Sequence, residues 1–316
     1  MNFRCLLRGC TFIALSLGWG YSALADAPLV GVLLKGQTAF WNEVAGGAKA
    51  SAEKTGMSLV IKIPVHETDV STQVMYCNAL GAMDIKALII APADQRALML
   101  PIARLAAKGV KIIVLDSPLE GKKWALFVGT DQAATGEQVG KLLASTVAES
   151  DEIAVFRNDQ NGSATGQREE GAIAALRAAH PAQVIHADVY SGTEPGKEAD
   201  RAEFLISKYP NIKAIFASSS SGTMGMLQVL QAHNLGHAIK LIGMGFNLNK
   251  NVKSAIEAGD LYAWVAQLPR DAGSKSVEAA DALLRGQTVP DVIHTDVLFV
   301  TKDNVNDPKI LALMPN

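Results

Sequence analysis

Residues 29–56 read LVGVLLKGQTAFWNEVAGGAKASAEKTG. The stretch opens with apolar residues and one glycine over 29–34, the pattern of a strand buried on both faces. A polar turn, Lys35-Gly36-Gln37-Thr38, leads into a helical period carried by Phe40, Val44 and Ala48. Gln37 or Thr38 is placed to cap that helix, and Gly36 permits the sharp turn before it. The unit is strand, loop, helix, with the adjacent aromatics Phe40 and Trp41 at the helix mouth. In an open α/β sheet, ligands gather at the loops that leave such strand ends.

The unit recurs along the chain. Strands are expected over 29–34, 58–63, 87–91, 110–115 and 126–128, separated by helical patterns over 39–55, 70–83 and 95–108. A second series starts at Asp131, with helices over 133–148, 164–179, 196–208 and 224–234. Its strands fall at 152–156, 183–190, 214–217 and 240–244. A helix over 250–258, a strand over 261–267, a helix over 271–285 and a strand over 292–300 complete it. Strands near-continuous in Val, Ile and Leu, alternating with helices, predict parallel sheets covered on both faces. No low-complexity linker divides the halves. The expected fold is therefore α/β, as two doubly wound parallel-sheet lobes that face each other, with the chain crossing between them more than once.

Residues 1–25 are set apart as a secretory signal peptide. Arg4 and Arg8 supply a positive start, 11–17 an apolar core, and Ala23-Leu24-Ala25 a small-x-small cleavage pattern. The apolar run is too short to span a bilayer. The expected mature chain begins at Asp26 and is exported to a periplasm or beyond. The leader holds two arginines and no acid, so the net charge of −2 for the whole chain becomes −4 without it. A mildly acidic, mixed surface argues against nucleic acid and against an anionic membrane face. Roughly 290 residues exceed the usual single core and imply two domains. Cys77 is the one cysteine past the leader, so no internal disulfide is available, and its helical register makes it a small buried hydrophobe.

Enzyme signatures are scarce. The chain has no GxSxG elbow, no P-loop and no GxGxxG after a strand. Its six histidines, at 66, 180, 186, 233, 237 and 294, have no metal-ligand spacing. The run Ser218-Ser219-Ser220-Ser221 follows a strand and opens a helix, where a serine either caps or binds ligand oxygens. Asp116 ends a buried strand in LDSP and can accept two hydroxyl hydrogen bonds, although Asp-Ser-Pro is also good turn chemistry. Arg168, in NGSATGQREEG, sits near a helix N-terminus, where the dipole disfavours a cation, so a specific partner is expected. The plain alternative is pairing with Glu169 or Glu170. Gln267 ends the strand in VAQLP. Phe40 and Trp41 offer ring faces to a sugar's C–H side, with stacking worth about 0.5–1.5 kcal/mol, or else serve as core.

With these residues in place, the chain resembles the periplasmic ribose-binding-protein-like family, the substrate-binding components of ABC importers. The similarity rests on KGQTAFWNEVAGGAKASAEKTG, IKALIIAPAD, GVKIIVLDSP, VGTDQAATGEQVGKLL, REEGAIAAL, IKAIFASSSSGTMGMLQVLQ, KLIGMGF and VAQLPRDAGSKSVEAADALLRGQTV, in order. The resemblance implies a three-strand hinge with crossings near Thr130-Asp131, Gln267-Leu268 and Asp296-Val297. It implies an N-terminal lobe of 26–130 plus 268–296 and a C-terminal lobe of 131–267 plus 297–316. By position, Phe40 and Trp41 match the aromatic pair around the ligand ring, Asp116 the acid for ring hydroxyls, Arg168 the base of the second lobe and Gln267 the hinge glutamine. The implied ligand-binding set is Lys35, Thr38, Phe40, Trp41, Asp116, Ser117, Arg168, Ser219, Asn247 and Gln267.

The chain departs from the pentose-binding pattern in having Ser117 for an arginine, Ser219-Ser220 for Asn-Asp, and Gly245 for an aspartate, while gaining Lys35 and Phe246-Asn247. A sugar, polyol or sugar-like solute other than ribose is expected. The implied partner is an inner-membrane permease, with a monomeric protein, no cofactor and no metal. The alternative role is a periplasmic sensor read by a chemoreceptor or histidine kinase. An enzyme lacks a nucleophile–base pair here, and a transcription regulator would need a DNA-binding helix-turn-helix where the export signal stands.

Overall fold

The computed structural model describes residues 27–312 apart from 122, 161, 162, 193 and 195. The signal peptide expected over 1–25 lies outside the described residues. The first run of elements is β1 (Leu29–Leu33), α1 (Ala39–Thr55), β2 (Ser58–Lys62), α2 (Val70–Leu80), β3 (Ala87–Ile90), α3 (Met99–Ala107), β4 (Lys111–Leu115) and β5 (Leu126–Thr130). The second is α4 (Gln132–Thr146), β6 (Glu152–Arg157), α5 (Ser163–Ala179), β7 (Val184–Tyr190), α6 (Glu198–Lys208), β8 (Ile212–Ala217), α7 (Ser220–Ala232), β9 (Lys240–Gly245), α8 (Lys250–Ala258) and β10 (Ala263–Gln267). Then come α9 (Pro269–Leu284), β11 (Val292–Thr295), β12 (Val297–Thr301) and α10 (Pro308–Leu311).

The strands form two six-stranded sheets, ordered β11-β5-β4-β3-β1-β2 and β12-β10-β9-β8-β6-β7. All pairings are parallel except β10 with β12, which is antiparallel. The chain leaves the first sheet after β5, returns after β10, and crosses again between β11 and β12. The apolar stretch expected as one strand over 292–300 is therefore two short strands in different sheets. Each sheet is covered on both faces, as its β-branched strands require. In the first lobe, α1 and α9 cover one face and α2 and α3 the other. In the second, α4 and α5 cover one face and α6, α7 and α8 the other.

Glycine-mediated helix packing repeats in the two lobes. A Cβ on Gly47 of α1 would lie 1.9 Å from the Arg270 carbonyl oxygen of α9, and one on Gly273 would lie 2.0 Å from that of Val44. In the second lobe, a Cβ on Gly136 of α4 would lie 2.0 Å from the Arg168 carbonyl oxygen of α5. These contacts set the backbone of Arg168 directly against the helix that begins at the first crossing.

Several helix starts differ from the sequence expectation. α3 begins at Met99 and not at 95, because the Asp94 carboxylate takes the amides of Arg96 and Ala97 at 2.8 and 2.7 Å and holds a separate turn. Pro101 then falls in the first turn, where its missing N–H costs nothing. α7 begins at Ser220 and not at 224, because the Ser219 hydroxyl accepts the Gly222 amide at 3.2 Å as a cap. Thr38 stands at the N-cap of α1, yet its hydroxyl makes no cap bond. Cys77 is buried, as its register implied, and burial pushes its thiol up to about 11.

Gly136→Ala should cost about 1–3 kcal/mol, since the packed backbone must move to admit a methyl group. Gly166→Ala, on α5 with nothing within 4 Å of the added Cβ, should gain about 0.5–1 kcal/mol. Urea midpoints of the two variants check this. Cys77 should stay unreactive to a thiol reagent at pH 8 in the native protein and react on unfolding.

Candidate binding site

In both sheets the strand order reverses beside the first strand of the lobe, between β1 and β3 and between β6 and β8. At such a switch point the two following loops diverge, and the backbone groups at the parting need other partners. One buried side chain supplies them in each lobe. Gln73 of α2 donates to the carbonyls of Leu34 and Ala91, at 3.1 and 2.8 Å, and accepts the Ala93 amide at 2.8 Å. It thus ties the end of β1 to the end of β3. Glu169 of α5 accepts from the Asn158 amide at 2.9 Å, from the Ser218 hydroxyl at 2.6 Å and from Arg157 Nε at 2.7 Å. It ties the end of β6 to the end of β8.

The loops so fixed carry Lys35, Thr38 and Ser219, with Phe40 and Trp41 in the helix that follows the first of them; Asp116 and Ser117 follow β4, Asn247 follows β9, and Gln267 ends β10. Lys35, one residue past the Gln73 clamp, reaches Asp116 Oδ2 at 3.4 Å and makes a short hydrogen bond to Ser117 Oγ. Ser117 is fully buried and donates to Asp116 Oδ2 at 2.8 Å. Asp116 has a φ of 63°, rare for a residue with a Cβ. Such a conformation costs about 1–3 kcal/mol and persists where surroundings over-determine it, often at ligand sites. Lys35 also stands 5.6 Å above the Trp41 ring.

The aromatic pair divides its labour. Trp41 is buried at 2 % exposure in the core between sheet and helix, with its indole N–H donated to Glu67 Oε1 at 2.9 Å. Phe40 is half-buried and meets Trp41 edge-on at 5.0 Å. It also meets Phe246, which follows β9 of the second sheet, edge-on at 5.6 Å. This ring contact joins the two lobes. Thr38 is exposed, its hydroxyl 3.5 Å from Glu67.

Arg168 is not on a solvated face and pairs with neither Glu169 nor Glu170, both of which serve Arg157. It is 5 % exposed, donating from Nε to Gln132 Oε1 at 2.8 Å and from Nη1 to the Ser218 carbonyl at 2.9 Å. Burial pulls its guanidinium down to about 10, against the opposing pull of Asp116 and then Glu169. It therefore stays protonated at neutral pH and feels the carboxylate of the opposite lobe. At the hinge, Gln267 Nε2 donates to Thr130 Oγ1 at 3.3 Å, and Thr130 bonds Thr295 at 3.1 Å, so all three crossings meet in one network. Phe40, Asp116, Thr130 and Gln267 line a single small cavity there.

Ser219 acts as a helix cap. Asn247 is half-buried beside Phe246 and has no hydrogen bond among the described residues. A wider surface concavity of about 490 Å³ runs along the edge strand β2, by Gln37, Asn42, Lys62 and Tyr76, and contains none of the expected site residues. The sequence reading did not single out Gln73, Glu67, Gln132 or Glu169 as site-forming residues. No group of His, Cys, Asp and Glu suited to a metal occurs among the described residues.

The periplasmic binding protein domain matches this chain over residues 30–288, so the chain belongs to that family. Members bind solutes and are not enzymes. Among curated relatives, the D-allose-binding periplasmic protein of Escherichia coli is 28 % identical over 279 residues, covering 85 % of this chain and 88 % of that protein. The ribose import binding protein of Salmonella typhimurium is 26 % identical over 302 residues, covering 96 % and 100 %. Among solved structures, a carbohydrate transporter solute binding protein from Agrobacterium radiobacter in complex with D-arabinose has a TM-score of 0.84. It is 25 % identical, covering 92 % of this chain and 100 % of that one. The family is periplasmic, and no helix among the described residues is long and apolar enough to cross a membrane.

Gln73→Met keeps the side chain's length but strands two carbonyls and one amide in the core. An unpaired buried group costs about 1–3 kcal/mol, so the variant should lose at least ~2 kcal/mol in urea unfolding.

Proposed function

We propose that the protein captures a sugar or sugar-like polyol between its lobes and delivers it to the membrane permease of an ABC importer. One observation carries this reading. Phe40, the strained Asp116 and Gln267 line one small cavity at the hinge, and the buried guanidinium of Arg168 in the other lobe feels the Asp116 charge, which supports a cleft shared by the two lobes. Phe40 suits the C–H face of a sugar ring, Asp116 accepts its hydroxyls, and Arg168 donates to its oxygens. The names of the relatives, which specify allose, ribose and arabinose, support the same class of ligand. The functional lobes are 26–130 plus 268–296 and 131–267 plus 297–316, with residues 1–25 cleaved on export.

The solute stabilises the closed arrangement only as far as it prefers it to the open one. Of the remaining expected residues, Gln267 couples the walls through the hinge, Ser117 and Lys35 hold Asp116, and Thr38, Ser219 and Asn247 rim the opening. Trp41 acts mainly as support, fixed by Glu67 beneath Phe40.

A thermal-shift panel of aldoses, polyols and their derivatives tests the assignment. A ligand at one hundred times its Kd stabilises by about 2.7 kcal/mol, a rise of several degrees for a protein of this size. Phe40→Ala and Arg168→Met should abolish that rise while leaving the ligand-free melting temperature within a few degrees of wild type. Trp41→Ala should instead lower the ligand-free protein itself by about 3–5 kcal/mol. No shift across the panel contradicts the proposal.

A further inference from the structure

Around Arg168 the second-lobe wall of the cleft holds buried donors that no carboxylate answers. Each hydroxyl of a neutral sugar brings a proton that must find an acceptor once it is buried. The carboxylate acceptors here are few. Asp116 has its Oδ2 engaged by Lys35 and Ser117, which leaves Oδ1 for a ligand hydroxyl. Glu67 is held by Trp41, and Glu169 is consumed by Arg157, Ser218 and the Asn158 amide. Gly245, the last residue of β9, offers no side chain and has no room for one. A Cβ there would lie 2.0 Å from Trp264 Cζ2 and 2.5 Å from Ser220 Oγ.

Donors, by contrast, are in surplus. Arg168 makes no ion pair among the described residues, its two bonds going to neutral oxygens. The Gln132 side chain is buried and spends its oxygen on Arg168, which leaves Nε2 without a partner among the described residues. Lys35, paired with Asp116, is a second cation on the facing wall.

We infer that the solute carries a carboxylate: a small sugar acid, such as an aldonate or uronate, whose carboxylate is received by Arg168 and Gln132 Nε2, with Lys35 as the second cation. A carboxylate is acceptor-only and brings no proton of its own. It pairs in fork geometry with a guanidinium and relieves the uncompensated buried cation. The sugar hydroxyls then keep Asp116 and Phe40. This inference rests on the cleft being a sugar site and adds the charge of its ligand.

Matched pairs on the purified full chain test it, by calorimetry or thermal shift at low and high salt: D-galacturonate against D-galactose, D-gluconate against D-glucose, and D-ribonate against D-ribose. The expected result is that in at least one pair the acid binds tenfold or more tighter than its neutral partner. Lys35→Met should reduce that ratio at least threefold. If neutral members bind and no acid binds more tightly than its partner, the inference is overturned while the sugar site stands. If no member of any pair binds, the sugar site and the inference fall together.

Discussion

A doubly wound sheet must part where its strand order reverses, and a parting sheet leaves backbone carbonyls and amides that water or a side chain has to satisfy. In this molecule both partings are closed by a single buried polar side chain reaching in from a helix. Gln73 holds β1 to β3 and Glu169 holds β6 to β8. Two of the candidate site's charged groups stand beside these clamps. Lys35 follows the Leu34 carbonyl that Gln73 grips, and Arg168 is the immediate neighbour of Glu169 in sequence. The choice of a neutral amide in one lobe and a carboxylate in the other follows from the groups each must satisfy. Gln73 meets two carbonyls and one amide, so it needs both donors and an acceptor, whereas Glu169 meets three donors.

Glu169 also explains why the buried Arg168 persists without an ion pair. The carboxylate is committed to Arg157, the Asn158 amide and Ser218, so its charge reaches Arg168 only through space. Gly136 brings α4 close enough that Gln132, at its first turn, can accept from the guanidinium. The cation is thus oriented by neutral oxygens and enters no ion pair among the described residues; the proposed function assigns it to a ligand. Such a desolvated, preorganised charge is costly to hold and valuable to a binding site, since a partner arriving there need not reorganise the protein.

Much of this was legible in the sequence. Apolar runs of β-branched residues gave the strands, and their alternation with helices gave a two-lobed α/β fold. Asp116 and Arg168 stood out because one ends a buried strand and the other sits near the start of a helix. What was missed has physical causes. Gln73 stands in helical register with Cys77 and Leu80, and Glu169 with Ile173 and Leu176, all buried. A polar residue at a core position of a helix is itself a signal, but only the tertiary fold reveals which orphaned backbone it serves. Pro101 confines the start of α3 to its own vicinity, a constraint that outranks the apolar period starting earlier. Of the adjacent aromatics, helical geometry alone cannot decide which turns inward; the presence of Glu67 as partner for an indole N–H settles it for Trp41. That Arg168 enters no ion pair and Gln132 Nε2 has no partner among the described residues could not be read from residue types, because it depends on which groups are already spent.

The account depends on one cleft whose two walls touch the same small molecule. A crystal structure of the protein with the tightest-binding sugar derivative tests this most directly. The account predicts the solute between Phe40 and Asp116 on one wall and Arg168 and Gln132 on the other, with the Gln267–Thr130–Thr295 network intact at the hinge. A solute seated in the groove along β2, or held by one lobe alone, would contradict it.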